Sequence, residues 1–233
     1  MTHADGPVIE ALGESALLVR LGSRVDAGLN ARVHALAARL RAEPVEAVVD
    51  VVPAYGSLAV HFDGGADPAG VRALVDAWLR ARLDTPATGS VAAARTVEVP
   101  VCYGGEHGPD LEALSRHAGL EVQDVVARHA GADFRVAMLG FAPGFPYLLG
   151  LPAELAMPRL AQPRRTVPAG SVGIAEAQTG IYPQSSPGGW RLIGRTPLRL
   201  FDAAREPPSL LAPGDRVRFV AIEATRFDRW PAP

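Results

Sequence analysis

Between Leu139 and Leu200 the chain is broken by Gly or Pro so often that no long helix can form there. The stretch contains LGFAPGFPYLLGL, then MPRLAQPRRTVPAGSVGIAEAQTGIYPQSSPGGWRLIGRTPLRL. Each break demands a turn or a close backbone approach, because Gly supplies φ values other residues avoid and Pro withholds a donor. Between the breaks stand Phe141, Phe145, Tyr147, Tyr182 and Trp190, with Arg159, Arg164, Arg165, Arg191 and Arg195. Two readings follow: a β-rich domain with many tight turns, or a shaped pocket of aromatic and guanidinium groups.

The rest of the chain sorts into elements by period. Val8–Gly13 and Ala16–Leu21 read as strands joined at Glu14-Ser15. Leu29, Val33, Leu36, Ala37 and Leu40 recur at helical spacing. The apolar run Ala47–Val52 ends at Pro53, Ser57–Phe62 resumes as a strand, and Val71, Leu74, Val75 and Trp78 mark a second helix. Two helices on one face of a mainly antiparallel sheet is the simplest packing of that order. Residues 1–85 are therefore expected to form a small α/β domain, with the linker-like PATGSVAAAR at 86–95 closing it. In 96–233, Thr96–Val101 alternates as a strand, and Asp110 is placed to cap a short helix carrying Leu111, Leu114 and Ala118. Val122, Val125, Val126 and His129 share a face of the next helix, which Gly131 ends; Phe134–Leu139 is a strand. Short strands and turns then run to a last strand at Arg216–Ile222, a pattern that favours a closed barrel or sandwich.

Composition excludes several function classes. A net charge of −2 gives no basic footprint for nucleic acid or an anionic membrane. No apolar run approaches the roughly 20 residues of a membrane span, and MTHADGPVIEAL lacks a signal-peptide pattern. Cys102 is the only cysteine, so no internal disulfide forms, and a cytoplasmic location is expected. The chain has no lysine, which rules out a Walker A loop, a lysine Schiff base and a Ser-Lys dyad. Any phosphate must be met by Arg or backbone N–H groups. Ala169-Gly170-Ser171-Val172-Gly173 is one residue short of a nucleophile elbow and leads into a strand rather than a helix. Cys102 and His107 are too few for a zinc site, and no metal is expected.

The ordered motifs GFAPGFPYLLGL, Pro158-Arg159, VPAGSVGIA, QTGIYPQSSPGGWRLIGRTPLRLF and PGDRVRF resemble the B-subunit family of bacterial 5-oxoprolinases, also called allophanate hydrolase subunit 1. That family includes an inhibitor of a sporulation histidine kinase. The resemblance is strong from about Val97 to Phe219 and weaker over the first eighty or so residues. It implies an α+β, mainly β fold: a small ferredoxin-like α/β domain, then a cyclophilin-like β-barrel. It also implies one component of an ATP-dependent 5-oxoprolinase that converts 5-oxo-L-proline to L-glutamate with the A and C subunits. The partners would bring ATP, and the chain would be inactive alone. Kinase inhibition and allophanate or urea hydrolysis are the alternatives.

Several residues carry both a chemical and a packing reading. His129 matches the family offset ahead of GFAPGFPYL, as a proton carrier at the barrel mouth or as a packed last-turn histidine. Relatives often carry Tyr where this chain has Phe134, so a phenol hydroxyl is lost there. Arg159, Arg164 and Arg195 are assigned to developing negative charge, against a reading as surface ion pairs. Phe145, Tyr147, Gln178, Tyr182 and Ser186 are assigned to substrate binding: Phe145 and Tyr147 as an aromatic corner, Gln178 by presenting a donor and an acceptor to an amide, and Tyr182 and Ser186 beside turns. Trp190 reads as core.

Overall fold

A computed structural model describes residues 7–82 and 95–231, which form two compact units. All but the last residue of the expected linker, 86–95, lie outside the described residues. Arg95 itself pairs with the barrel unit: its guanidinium donates to Asp215 at 2.6 Å and to the Leu210 carbonyl at 2.7 Å.

The first unit follows the expected order: β1 (Val8–Ala11), β2 (Ala16–Arg20), α1 (Ala27–Ala42), β3 (Val48–Pro53), β4 (Ser57–Phe62) and α2 (Pro68–Arg80). The sheet is antiparallel in the order β1-β2-β4-β3. This is a ferredoxin-like sheet with one edge strand moved from the end of the unit to its start. Strand alternation turns Leu17, Val19, Leu58, Val60 and Phe62 toward Val33, Leu36, Leu40, Val71, Val75 and Trp78 of the helices. Asp26 caps α1 through the Leu29 N–H, and Asp67 caps α2 with Pro68 in its first turn. Pro53 does not break β3 but ends it, as an edge strand permits. Leu74, expected in the helix stripe, is 47% exposed; Leu79 is buried instead.

The second unit is a closed barrel. Its strands are β5 (Thr96–Tyr103), β6 (Phe134–Leu139), β7 (Pro146–Leu149), β9 (Ser171–Ala175), β10 (Gln178–Ile181), β12 (Arg191–Arg195) and β13 (Arg216–Ala221), in the order β10-β7-β6-β13-β5-β12-β9. The β5–β13 pair is parallel over six residues, and the other pairs are antiparallel. A separate ribbon joins β8 (Arg164–Val167) to β11 (Ser186–Gly188). Helices α3 (Leu111–Ala118) and α4 (Val122–Ala130) pack Leu111, Leu114 and Val125 into the core. A short helix α5 (Ala224–Asp228) follows the last strand, where none was expected. Asp110 makes no capping bond to α3. Ser171 begins β9 and is buried, and a Cβ at Gly170 would stand 2.2 Å from the Thr196 carbonyl, so that segment is a packed strand entry and not an elbow. No helix among the described residues is long and apolar enough to cross a membrane.

Candidate functional site

The Gly-Pro punctuation folds the aromatic residues into one cluster outside the main barrel core. Phe145, Val167, Tyr182, Trp190 and Leu192 pack together, with Tyr147 and Ala142 against them. The rings meet edge-on or tilted: Phe145–Tyr182 at 5.2 Å, Phe145–Trp190 at 5.5 Å, Phe145–Tyr147 at 4.9 Å and Tyr147–Trp190 at 5.8 Å. Phe145 and Tyr182 are 1% and 2% exposed, so they form the floor of the cluster. Trp190 is buried, in agreement with its reading as core.

Gly188 is required by this packing. A Cβ there would lie 2.4 Å from the Tyr182 hydroxyl and 2.9 Å from its ring. Gly188→Ala is therefore expected to displace Tyr182 and loosen the cluster, read as a loss of near-UV circular dichroism with the far-UV spectrum retained.

At the cluster's edge the polar groups converge. Arg159 is exposed, while Tyr147 and Arg164 are half-buried; Arg164 reaches the Trp190 carbonyl, and the Leu160 N–H ties the segment of Arg159 to Gly189. Burial pushes the Tyr182 phenol up, while a backbone hydrogen bond from Trp190 and the two guanidinium groups oppose the rise. Burial likewise raises Tyr147, against the pull of Arg159. Phe141 stands over the same edge, 62% exposed, with its ring edge-on to Phe145 at 5.3 Å and to Tyr182 at 6.1 Å. Its φ of 69° is strained for an aromatic residue, and such strain concentrates at functional sites.

Arg164 is not a free cation. Its Nη2 donates to the Asp110 carboxylate at 2.8 Å, and Nη1 lies 3.4 Å from the Trp190 carbonyl. The other Asp110 oxygen accepts the Leu192 N–H at 2.6 Å. Asp110, read from sequence as a helix cap, is instead a buried clamp on Arg164 and β12. No local signal marks this role, because its partners lie 54 and 82 residues away.

His129 lies elsewhere. It is wholly buried, against Phe134 at 5.0 Å and Phe219 at 4.7 Å, and does not face the barrel mouth. The Thr179 hydroxyl donates to the Gly173 carbonyl at 2.9 Å, so it accepts from His129 Nε2 at 3.2 Å. Nε2 therefore carries the proton, and the Tyr103 hydroxyl donates to Nδ1 at 2.8 Å. Every side-chain polar atom along Tyr103–His129–Thr179 is satisfied with the ring neutral. Burial lowers the His129 pKa to about 3, so the ring stays neutral, with one N–H, at neutral pH. This is the setting of the alternative reading, a packed last-turn histidine. Tyr103, at the end of β5, carries no local mark in the sequence that would point to this role.

Arg195 also stands apart. Its Nε donates to the Ala169 carbonyl at 2.7 Å, and its guanidinium lies over Phe227 at 5.7 Å. It lines a surface groove with Arg199, Phe227 and Trp230, to which Arg159, Arg164, Tyr147 and Tyr182 do not contribute. Gln178 is half-buried at the start of β10, and Ser186 pairs with Val167 in the ribbon, its hydroxyl buried without a partner among the described residues. Cys102 is buried, and burial with Glu223, Asp228 and Glu106 nearby raises its thiol pKa, which disfavours a nucleophilic thiolate. No group of three or more His, Cys, Asp or Glu among the described residues is arranged to hold a metal.

A small α/β unit followed in the chain by a closed barrel with an aromatic and arginine edge has known relatives. Residues 7–211 match the model for the carboxyltransferase domain, subdomain C and D, and the chain belongs to that family. It is 44% identical over 221 residues to the 5-oxoprolinase B subunit of Bacillus subtilis (strain 168), covering 92% of each chain. It is 43% identical over 211 residues to the 5-oxoprolinase B subunit of Escherichia coli O157:H7, covering 90% of this chain and 93% of that one. Among solved structures, TTHA0988 superposes with a TM-score of 0.77 at 39% identity, over 94% of this chain and 41% of that longer one. Within the carboxyltransferase family the chain thus stands with the B subunits of 5-oxoprolinases.

Proposed function

We propose that this chain works as the B subunit of an ATP-dependent 5-oxoprolinase, opening 5-oxo-L-proline to L-glutamate together with the A and C subunits. The observation that carries the reading is the 44% identity across nine-tenths of a 5-oxoprolinase B subunit. The chemistry explains why such a protein needs partners. A five-membered lactam is a stable amide, and water attacks it slowly because amide resonance must be broken. Phosphoryl transfer to the amide oxygen would activate the carbonyl carbon, and the site must then stabilise negative charge and protonate the ring nitrogen. This chain has no lysine and no recognisable phosphate loop, so ATP is assigned to the assembled complex and the isolated chain is inactive. A reducing, cytoplasmic setting suits its lone buried thiol.

On this chain the exposed guanidinium of Arg159 and the hydroxyl of Tyr147 are the groups that meet substrate. Tyr182, Phe145 and Trp190 hold the wall behind them. The proton for the ring nitrogen does not come from His129. Glutamate and ADP release from 5-oxo-L-proline and ATP is expected only when this chain is combined with both the A and C subunits. No release from the full mixture, with every component folded and associated, would overturn the reading. Allophanate hydrolysis by the same mixture, or binding to a histidine kinase without turnover, would then identify one of the two alternatives.

A further inference from the structure

We infer that Arg159 is the receptor for the carboxylate of the substrate, and that Asp110 keeps Arg164 out of that role by neutralising it. The inference rests on the oxoprolinase reading and assigns the part of the substrate that this chain recognises. The arginines around the aromatic edge are not equivalent. Arg164 is closed into a pair with Asp110, whose side chain is only 10% exposed. Arg191 donates its Nε to the Pro158 carbonyl at 3.0 Å. Arg165, next to Arg164 on β8, points to the opposite side by strand alternation. Arg159 combines a backbone held against the turn that carries Trp190 with an exposed guanidinium that has no ion-pair partner among the described residues.

The backbone around Arg159 is fixed while its side chain is left open. Met157 bridges Glu176, the Pro158 carbonyl is held by Arg191, and the Leu160 N–H donates to the Gly189 carbonyl at 2.7 Å. These contacts tie the segment to the Gly189–Arg191 turn, whose Trp190 ring packs on Tyr147. A pinned backbone with a free planar cation beside a phenol hydroxyl suits a small carboxylate, which accepts two parallel N–H bonds from a guanidinium. 5-Oxo-L-proline carries one carboxylate on an otherwise neutral lactam, so one unpaired cation matches its charge. The same anionic chemistry could come from ATP phosphates, and the kinetics separate the two sources.

The test uses the assembled complex with wild-type chain, Arg159→Ala, Arg159→Lys and, as a control, Arg165→Ala. Steady-state KM values for 5-oxo-L-proline and for ATP are measured, with calorimetric binding of 5-oxo-L-proline and of its uncharged analogue 2-pyrrolidinone. Arg159→Ala is expected to raise the KM and Kd for 5-oxo-L-proline roughly tenfold or more, the scale of one lost charged hydrogen-bonded contact. It should leave the KM for ATP and the affinity for 2-pyrrolidinone unchanged. Arg159→Lys should recover part of the loss, and Arg165→Ala should match wild type. An unchanged KM for 5-oxo-L-proline in Arg159→Ala, or a raised KM for ATP instead, overturns the inference alone. No turnover by the wild-type complex overturns the functional reading, and the inference falls with it.

Discussion

Asp110→Ala is expected to destabilise the barrel unit by about 3 kcal/mol, the lower end of the range for removing one partner of a buried ion pair. The lower end applies because the Arg164 side chain is 27% exposed and water would solvate part of the orphaned charge. The substitution also leaves the buried Leu192 N–H without its acceptor. Urea denaturation of the wild type and the variant measures the loss. The magnitude separates a buried clamp from a simple helix cap, since loss of a cap costs typically about 1 kcal/mol. A loss of about 1 kcal/mol or less would return Asp110 to the capping role. A cycle pairing Asp110→Asn with Arg164→Met isolates the coupling between the two groups.

His129→Ala should cost still more, about 3–5 kcal/mol, as for emptying a buried aromatic site. The variant leaves a void against Phe134 and Phe219 and orphans the hydroxyl of Tyr103. A pH dependence accompanies the effect. The His129 pKa lies at about 3 in the folded chain, against an ordinary value of 6.5. Between these values the unfolded chain binds a proton that the folded chain refuses, so stability falls as pH drops from 6.5 toward 3. The slope from this one group approaches about 1.4 kcal/mol per pH unit, and the contribution is complete above about pH 6.5. His129→Gln, which cannot titrate, should show a shallower acid slope in denaturation midpoints between about pH 4 and 6.5. An equal slope in both proteins would show that His129 is not held neutral by burial.

Much of the fold was legible because its determinants are local. Alternation marks Ser57–Phe62 as a strand, the spacing from Leu29 to Leu40 marks α1, and the Gly-Pro breaks keep long helices out of the barrel. Pro53 closes β3 where the apolar run ends, as an edge strand permits and a central one does not. The site was less legible, since its chemistry depends on which side chains the barrel brings together. Arg164, Tyr147, Tyr182 and the segment of Arg159 all gather around Trp190 and Phe145. His129 and Arg195 do not, although both sit among motif residues. His129 stands at a helix end ahead of the Gly-Pro turns; only the closure of β5, β9 and β10 shows Tyr103 and Thr179 occupying both of its nitrogens. Asp110 is misread for the same reason. Its position before a helix is a local signal, and its partners on β8 and β12 are distant ones.

The most direct test of where this protein works compares His129→Gln with Arg159→Ala in the reconstituted complex, by glutamate release from 5-oxo-L-proline and ATP at about pH 8, well above the range in which histidine titrates. Rates are taken per mole of folded complex. The site at the Tyr147–Trp190 edge predicts near wild-type release for His129→Gln and a loss of roughly tenfold or more in kcat/KM for Arg159→Ala. Abolished release in a folded, assembled His129→Gln complex, with Arg159→Ala unaffected, would contradict it and return the chemistry to the barrel interior.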